Sequence, residues 1–363
     1  MYENDFEMQE YFRNMNNPYY LPTKSMTNLY DEVYPPKTPI IENLLYSGTY
    51  LFVGAPKVGK SFFMAQIAYH ISKGIDVWDY KVNKGTVLYL ALEDDYARLQ
   101  RRLYTMFGES ENDNLYLATT SHQLNDGLDK QLEYFIETHK DTKLIIIDTL
   151  QKIRELSGDK YSYGNDYDIV TKLKKFSDNK NVCLLLVHHT RKQQADDCFE
   201  TISGTNGLLG AADGAFILQK EKRTSSKVVL DAVGRDQQDQ RLYLEFNREH
   251  CLWEFTKAEN EIWKLPSDSV LESVSKIVTP EITQWFGTAT ELVAKLNLDI
   301  SANSLTRHLN VNADRLLNEY QIEYANTRTH SGRQVTFKLN LNMQEQACRC
   351  DDSDGITGDD TGV

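Results

Sequence analysis

The chain has 363 residues and a formal net charge of −13, with 26% charged and 40% hydrophobic residues. That length accommodates two domains or one large one, and the acidic balance excludes a protein that coats nucleic acid through a broadly basic surface. No apolar run approaches the roughly 20 residues of a membrane-spanning helix, and the acidic opening MYENDFEMQEYFRNMNNPYY lacks the apolar segment of a signal peptide, so a cytoplasmic protein without a membrane partner is expected. The five cysteines, at 183, 198, 251, 348 and 350, are odd in number and lack zinc-knuckle spacing, and they read as reduced thiols.

In chain order, residues 1–34 are polar and tyrosine-rich without a period and read as an N-terminal arm. YPPKTPI then marks a break. Residues 35–258 read as one α/β domain. TYLFVG, TVLYLAL, LYLAT, KLIIID, VCLLLVH, GAFILQ, KVVLDAVG and RLYLEF are predicted strands. Several are apolar throughout, the pattern of a mostly parallel central sheet flanked by helices on both faces. SFFMAQIAYHISKG places Phe63, Ile67 and Ile71 on one helical face and stops at Gly74. Beyond Pro266 the texture changes. In residues 267–341, ATELVAKLN and SANSLTRHLNVNADRLLNEY read as helices, and IEYANTRTHSGRQVTFKL as two strands about a turn, the outline of a small C-terminal winged-helix-like domain. Residues 342–363, with Asp351, Asp352, Asp354, Asp359 and Asp360 among Gly, Ser and Thr, read as an acidic disordered tail.

Four motifs carry chemistry. Between the first strand and helix, Gly54, Ala55, Pro56, Lys57, Val58, Gly59, Lys60, Ser61 and Phe62 contain G-x-x-x-x-G-K-S. Glycines let the backbone wrap close to phosphate oxygens, and successive N–H groups and the positive helix end face the anion. Lys60 can reach the β- and γ-phosphates and Ser61 can ligate Mg²⁺, so ATP and Mg²⁺ are the expected ligands. KLIIID ends on Asp148, a carboxylate at a buried strand end that suits the Mg²⁺ shell. YLALEDD brings Glu93, Asp94 and Asp95 to another strand end, where a carboxylate can polarise the attacking water; Asp94 and Asp95 can instead cap the next helix. VCLLLVHH ends on His188 and His189, whose side chains point to opposite faces; His189 is preferred as the γ-phosphate sensor, with His188 the alternative.

Together, GAPKVGKS, YLALEDD, LIIID, LLLVHHTRK and SGTNGLLGAADGAFIL resemble the RecA-like ATPases. Within them the chain is similar to the RepA-type hexameric replicative helicases of plasmids and mobile elements, relatives of DnaB. The resemblance covers about residues 35–255. It implies Glu93 as general base, a nucleotide site shared between subunits of a homo-oligomeric ring, and ATP-driven movement on single-stranded DNA. It also implies Arg235, in VVLDAVGRDQ, as an arginine supplied to the neighbour's site, with Arg241 as fallback. The loops at 157–168 and 191–207 then stand where such rings line their channel, offering Lys160, Tyr161, Arg191 and Lys192 to a single strand. In the C-terminal domain, Arg307, His308 and Arg315 on a recognition helix, and Arg328, His330 and Arg333 on the wing, can meet DNA phosphates; docking of a primase or loader stays open. The expected function is an ATP-hydrolysing, ring-forming DNA helicase or single-strand translocase in replication of a plasmid, phage or mobile element. Two alternatives are a recombination or regulatory ATPase that uses ATP as an assembly switch and a DNA-docked adaptor with weak turnover.

Overall fold

The structure, a computed structural model, describes residues 17–34, 37, 39–154, 163–189, 206–220, 222, 225–235, 237–260, 267–329 and 332–340. It divides into two units: Lys37–Lys264, and a second composed of Met1–Pro36 with Leu265–Val363. Helix α1 (Met26–Asp31), capped by Ser25, belongs to the second.

In the Lys37–Lys264 unit, β1 (Pro39–Ile41) and β2 (Leu45–Tyr46) form a small antiparallel pair. The main elements then alternate: β3 (Gly48–Gly54), α2 (Lys60–Lys73), β4 (Thr86–Ala91), α3 (Tyr96–Phe107), β5 (Leu115–Ala118), α4 (Leu128–Thr138), β6 (Thr142–Asp148), α5 (Tyr163–Lys180), β7 (Cys183–His189), α6 (Asn206–Ala211) and β8 (Gly214–Lys220). Strands β9 (Lys227–Gly234), β10 (Gln240–Asn247) and β11 (Leu252–Asn260) complete a nine-stranded sheet of order β11-β10-β9-β8-β3-β7-β6-β4-β5. The six strands from β8 to β5 are parallel; β9, β10 and β11 extend the sheet antiparallel from β8.

Continuous apolar runs form these strands because both sheet faces are covered. On β3, Tyr50 and Phe52 join Phe63, Met64, Ile67 and Ile71 of α2 in one core. Leu51 and Val53, one residue out of phase, join Leu132 of α4, Leu173 of α5 and Leu208 of α6 in the other. Every residue of β3 and β4 is buried. Helix α2 stops at Gly74, whose φ of 75° lets its N–H close on His70 and Ile71, as the sequence predicts.

The second unit holds α7 (Ser269–Ser275), β12 (Gln284–Thr288), α8 (Ala289–Leu296), α9 (Ala302–Val311), α10 (Ala313–Tyr320), β13 (Ile322–Thr329) and β14 (Gly332–Leu339). Its antiparallel sheet has the order β12-β14-β13. Leu271, Leu292, Leu305, Leu309, Leu316 and Phe337 form its core, and Thr288 and Glu291 cap α8 reciprocally. The expected helices and hairpin are present, joined by α7 and β12, which the sequence reading left out. The single helix expected over SANSLTRHLNVNADRLLNEY is two. Asn312, at φ −106° and ψ 22°, leaves helical geometry between α9 and α10, although its N–H still donates to the His308 carbonyl and its carbonyl accepts from the Leu316 N–H, each at 3.1 Å.

Two further differences concern boundaries. The first unit runs past 258 because β11 continues its pairing with β10 to Asn260. Of the expected arm, residues 17–34 are described, and they do not stand apart. Asp31 pairs with Arg307 and Arg333, and the Asn310 amide donates to the Tyr30 carbonyl. The acidic tail at 342–363 lies outside the described residues. Among those described, no helix is long and apolar enough to cross a membrane.

Candidate nucleotide site

The expected site residues from four segments meet at the carboxyl ends of the parallel strands, where ligands of such sheets bind. Gly54 ends β3 and pairs with His189, which ends β7; Asp148 ends β6 and pairs with Ala91, two residues before Glu93. Strand β7 lies between β3 and β6, so the strand ends at Gly54 and Asp148 stand about 10 Å apart across the sheet.

The loop turns on two left-handed residues, Lys57 (φ 64°) and Gly59 (φ 107°). Gly54 is required for another reason: a Cβ there would stand 2.8 Å from the Leu218 carbonyl of β8. Lys60 opens α2 and is buried, its ammonium donating to the Gly54 carbonyl at 2.8 Å, the Ala55 carbonyl at 3.0 Å and His189 Nδ1 at 2.9 Å. Burial lowers its pKa to about 8, against the opposing charges of Asp148 and Glu93. His189 therefore accepts through Nδ1 as a neutral imidazole, and burial and the adjacent Lys60 lower its pKa. His189, rather than the buried His188, faces the loop, the choice preferred from sequence.

Asp148 is buried and pushed up by desolvation, opposed by hydrogen bonds from the Ser61 hydroxyl and from Tyr89, whose phenol donates to Oδ2 at 2.9 Å. Ser61 and Asp148, the two expected Mg²⁺ ligands, are thus in contact. The described residues hold no cluster of three or more His, Cys, Asp or Glu able to bind a metal. That donor set suits Mg²⁺ carried mainly by phosphate oxygens and water and steadied by one hydroxyl and one carboxylate.

The EDD triplet divides its labour. Asp95 caps α3, accepting from the Arg98 N–H. Asp94 is held by Arg98 at 3.0 Å and Arg102 at 2.6 Å. Glu93 is exposed, and its Oε1 accepts from the Thr149 hydroxyl at 3.2 Å. Of the three, Glu93 alone is committed neither to an arginine nor to a helix cap, which leaves it able to orient water.

Three contributors escaped sequence reading. Tyr89 and Thr149 position Asp148 and Glu93. Trp253, on β11, packs its ring against Gly59 and donates from Nε1 to the Gly59 carbonyl at 3.3 Å; Gln66 of α2 bonds both the N–H and the carbonyl of Trp253. Phe62 packs edge-on against Phe246 under Arg102, so any phosphate contact it makes is through its backbone.

Arg235 follows β9 at the opposite edge of the sheet. It is exposed, with Nη2 donating to the Gly210 carbonyl at 2.7 Å. The fallback Arg241 is paired with Asp231 at 2.6 Å. The channel-loop residues Lys160, Tyr161, Arg191 and Lys192 lie outside the described residues, as does the side chain of Arg328. Four of the cations expected to meet DNA from the C-terminal unit have carboxylate partners: Arg307 and Arg333 on Asp31, Arg315 on Glu319, His308 on Asp268.

Residues 17–195 match the family model AAA_25, an AAA domain. No curated protein matches the chain. Among solved structures, the chain is similar to an isolated ATPase domain, at 16% identity over 58% of this chain and 85% of that one, with a TM-score of 0.49. It is also similar to a DnaB-like replicative helicase described with its interactions with primase, at 15% identity over 57% of each chain and a TM-score of 0.48.

Proposed function

We propose that this chain carries a RecA-like P-loop core, a reading supported by the AAA domain matched over residues 17–195, and that it hydrolyses ATP as a ring-forming DNA helicase or single-strand translocase. The observation that carries the ATPase reading is the convergence of Lys60, Ser61, Asp148, Glu93 and His189 at one sheet edge. Lys60 would exchange its two carbonyl contacts for phosphate oxygens, Ser61 and Asp148 would hold Mg²⁺, and Glu93 would align water. His189 bonds Lys60 and ends β7, so a change at the phosphate can be passed to that strand end. Bound Mg²⁺ supplies charge neutralisation at the phosphates.

Unwinding, a hexameric ring, single-stranded DNA as track, a primase or loader as partner, and a plasmid, phage or mobile-element setting rest on the motif order and on Arg235. The β12-β14-β13 unit is proposed to be a winged helix. The test is ATPase activity with and without single-stranded DNA, displacement of a forked oligonucleotide, and native mass with nucleotide. Strand-stimulated turnover and fork displacement by a ring are expected; slow, unstimulated turnover by a monomer would sink the reading. Glu93→Gln should bind nucleotide as the parent does yet lose about 10²–10⁴-fold in kcat, read by fluorescent-nucleotide titration beside phosphate release. Unchanged turnover would place the base elsewhere.

A further inference from the structure

In the second unit, two guanidinium groups from different elements converge on one carboxylate. Arg307 of α9 donates from Nε to Asp31 Oδ1 at 3.0 Å, and Arg333 of β14 pairs with Oδ2 at 3.0 Å. Two cations meet one anion, leaving a local excess of positive charge. A planar guanidinium fork accepts a phosphate as it does a carboxylate, and a helix beside a β-hairpin is an arrangement that reaches duplex backbone. The occupant is held lightly. Helix α1 buries none of its residues, and Met26 remains 67% exposed. It packs beside α9, and the Asp31 pairs and the bond from Asn310 to the Tyr30 carbonyl are among the contacts that fasten it there.

We propose that Arg307 and Arg333 form a binding site for a backbone phosphate of duplex DNA, and that Asp31 occupies it in cis as a phosphate mimic that DNA must displace. The inference rests on the DNA-handling role proposed above and adds a gate to it. The N-terminal segment lowers duplex affinity until the DNA supplies enough further contacts to evict it.

The test uses the full chain and a fluorescent 30-base-pair duplex at fixed salt. Asp31→Asn, which keeps the side-chain shape and removes its charge, should tighten binding about three- to fivefold, the range of one exposed ion-pair network. That gain should vanish when Arg307→Gln and Arg333→Gln are added. In the parent protein, amides of residues 26–31 should exchange hydrogen faster when duplex is bound. If Arg307→Gln/Arg333→Gln weakens binding while Asp31→Asn changes nothing and the 26–31 amides keep their protection, the gate is wrong but the DNA contact stands. If no form binds duplex, the DNA reading of this unit falls and the gate with it.

Discussion

Lys60→Ala is expected to abolish ATP hydrolysis, with kcat/KM falling about 10³-fold or more, because it removes the cation that meets charge developing on the transferred phosphoryl group. The structure shows how that cation is prepared. Its ammonium is held by two loop carbonyls and His189 rather than by a carboxylate, and desolvation lowers its pKa to about 8. Phosphate oxygens would replace the carbonyls without reorienting the helix. A pH dependence follows, with a definite sign. The unliganded site keeps a charged Lys60 below about pH 8 and a neutral amine above it, whereas phosphate binding requires the charged form. Affinity for ATP should therefore be flat below pH 8 and decline by up to about tenfold per pH unit above it. Lys60→Arg stays charged throughout this range and should remove the decline, whatever it does to turnover. Calorimetric titrations at pH 7 and 9.5 decide the matter; equal affinities for the parent protein would contradict the desolvated-lysine account.

How much of this was legible beforehand depended on the distance between partners in the chain. The loop, its strand and its helix are contiguous, so spacing alone located Lys60 and Ser61. Asp148 and Glu93 were legible because each ends an apolar run, and in a parallel sheet the carboxyl ends of strands share one edge. The Asp95 cap was weighed from sequence for the same local reason. What stayed hidden was set by pairing across the fold. Trp253 reaches Gly59 from 194 positions away, and Arg307 meets Asp31 across 276. The arginines of the C-terminal unit looked available to DNA because a sequence shows charge and not its partner. The break at Asn312 was missed because the apolar period continues through it, from Leu309 to Leu316, while the break lies in the backbone angles of Asn312.

Arg235→Ala should lower kcat by about 10³–10⁵-fold, the loss seen when a transition-state arginine is removed from related enzymes, while ATP binding changes little. The argument is one of position. Arg235 follows Gly234, which pairs with Gly214. Gly214 in turn pairs with Tyr50, four residues before Gly54. At about 3.3 Å per residue, Arg235 begins some 13 Å behind its own phosphate loop, at the amino-terminal edge of the parallel strands. Its guanidinium is on the surface, held by one carbonyl of α6, a contact that a phosphate from another copy could readily replace. Such an arginine can serve a nucleotide only across a head-to-tail interface, the kind that closes into rings. The decisive experiment co-expresses Arg235→Ala with Lys60→Ala, each inactive alone. In mixed rings about a quarter of the interfaces pair an intact loop with an intact arginine, so turnover should return to a comparable fraction of the parent rate. A mixture as inactive as its components, with mixed assembly verified by native mass, would show that hydrolysis does not draw on Arg235 from a second copy.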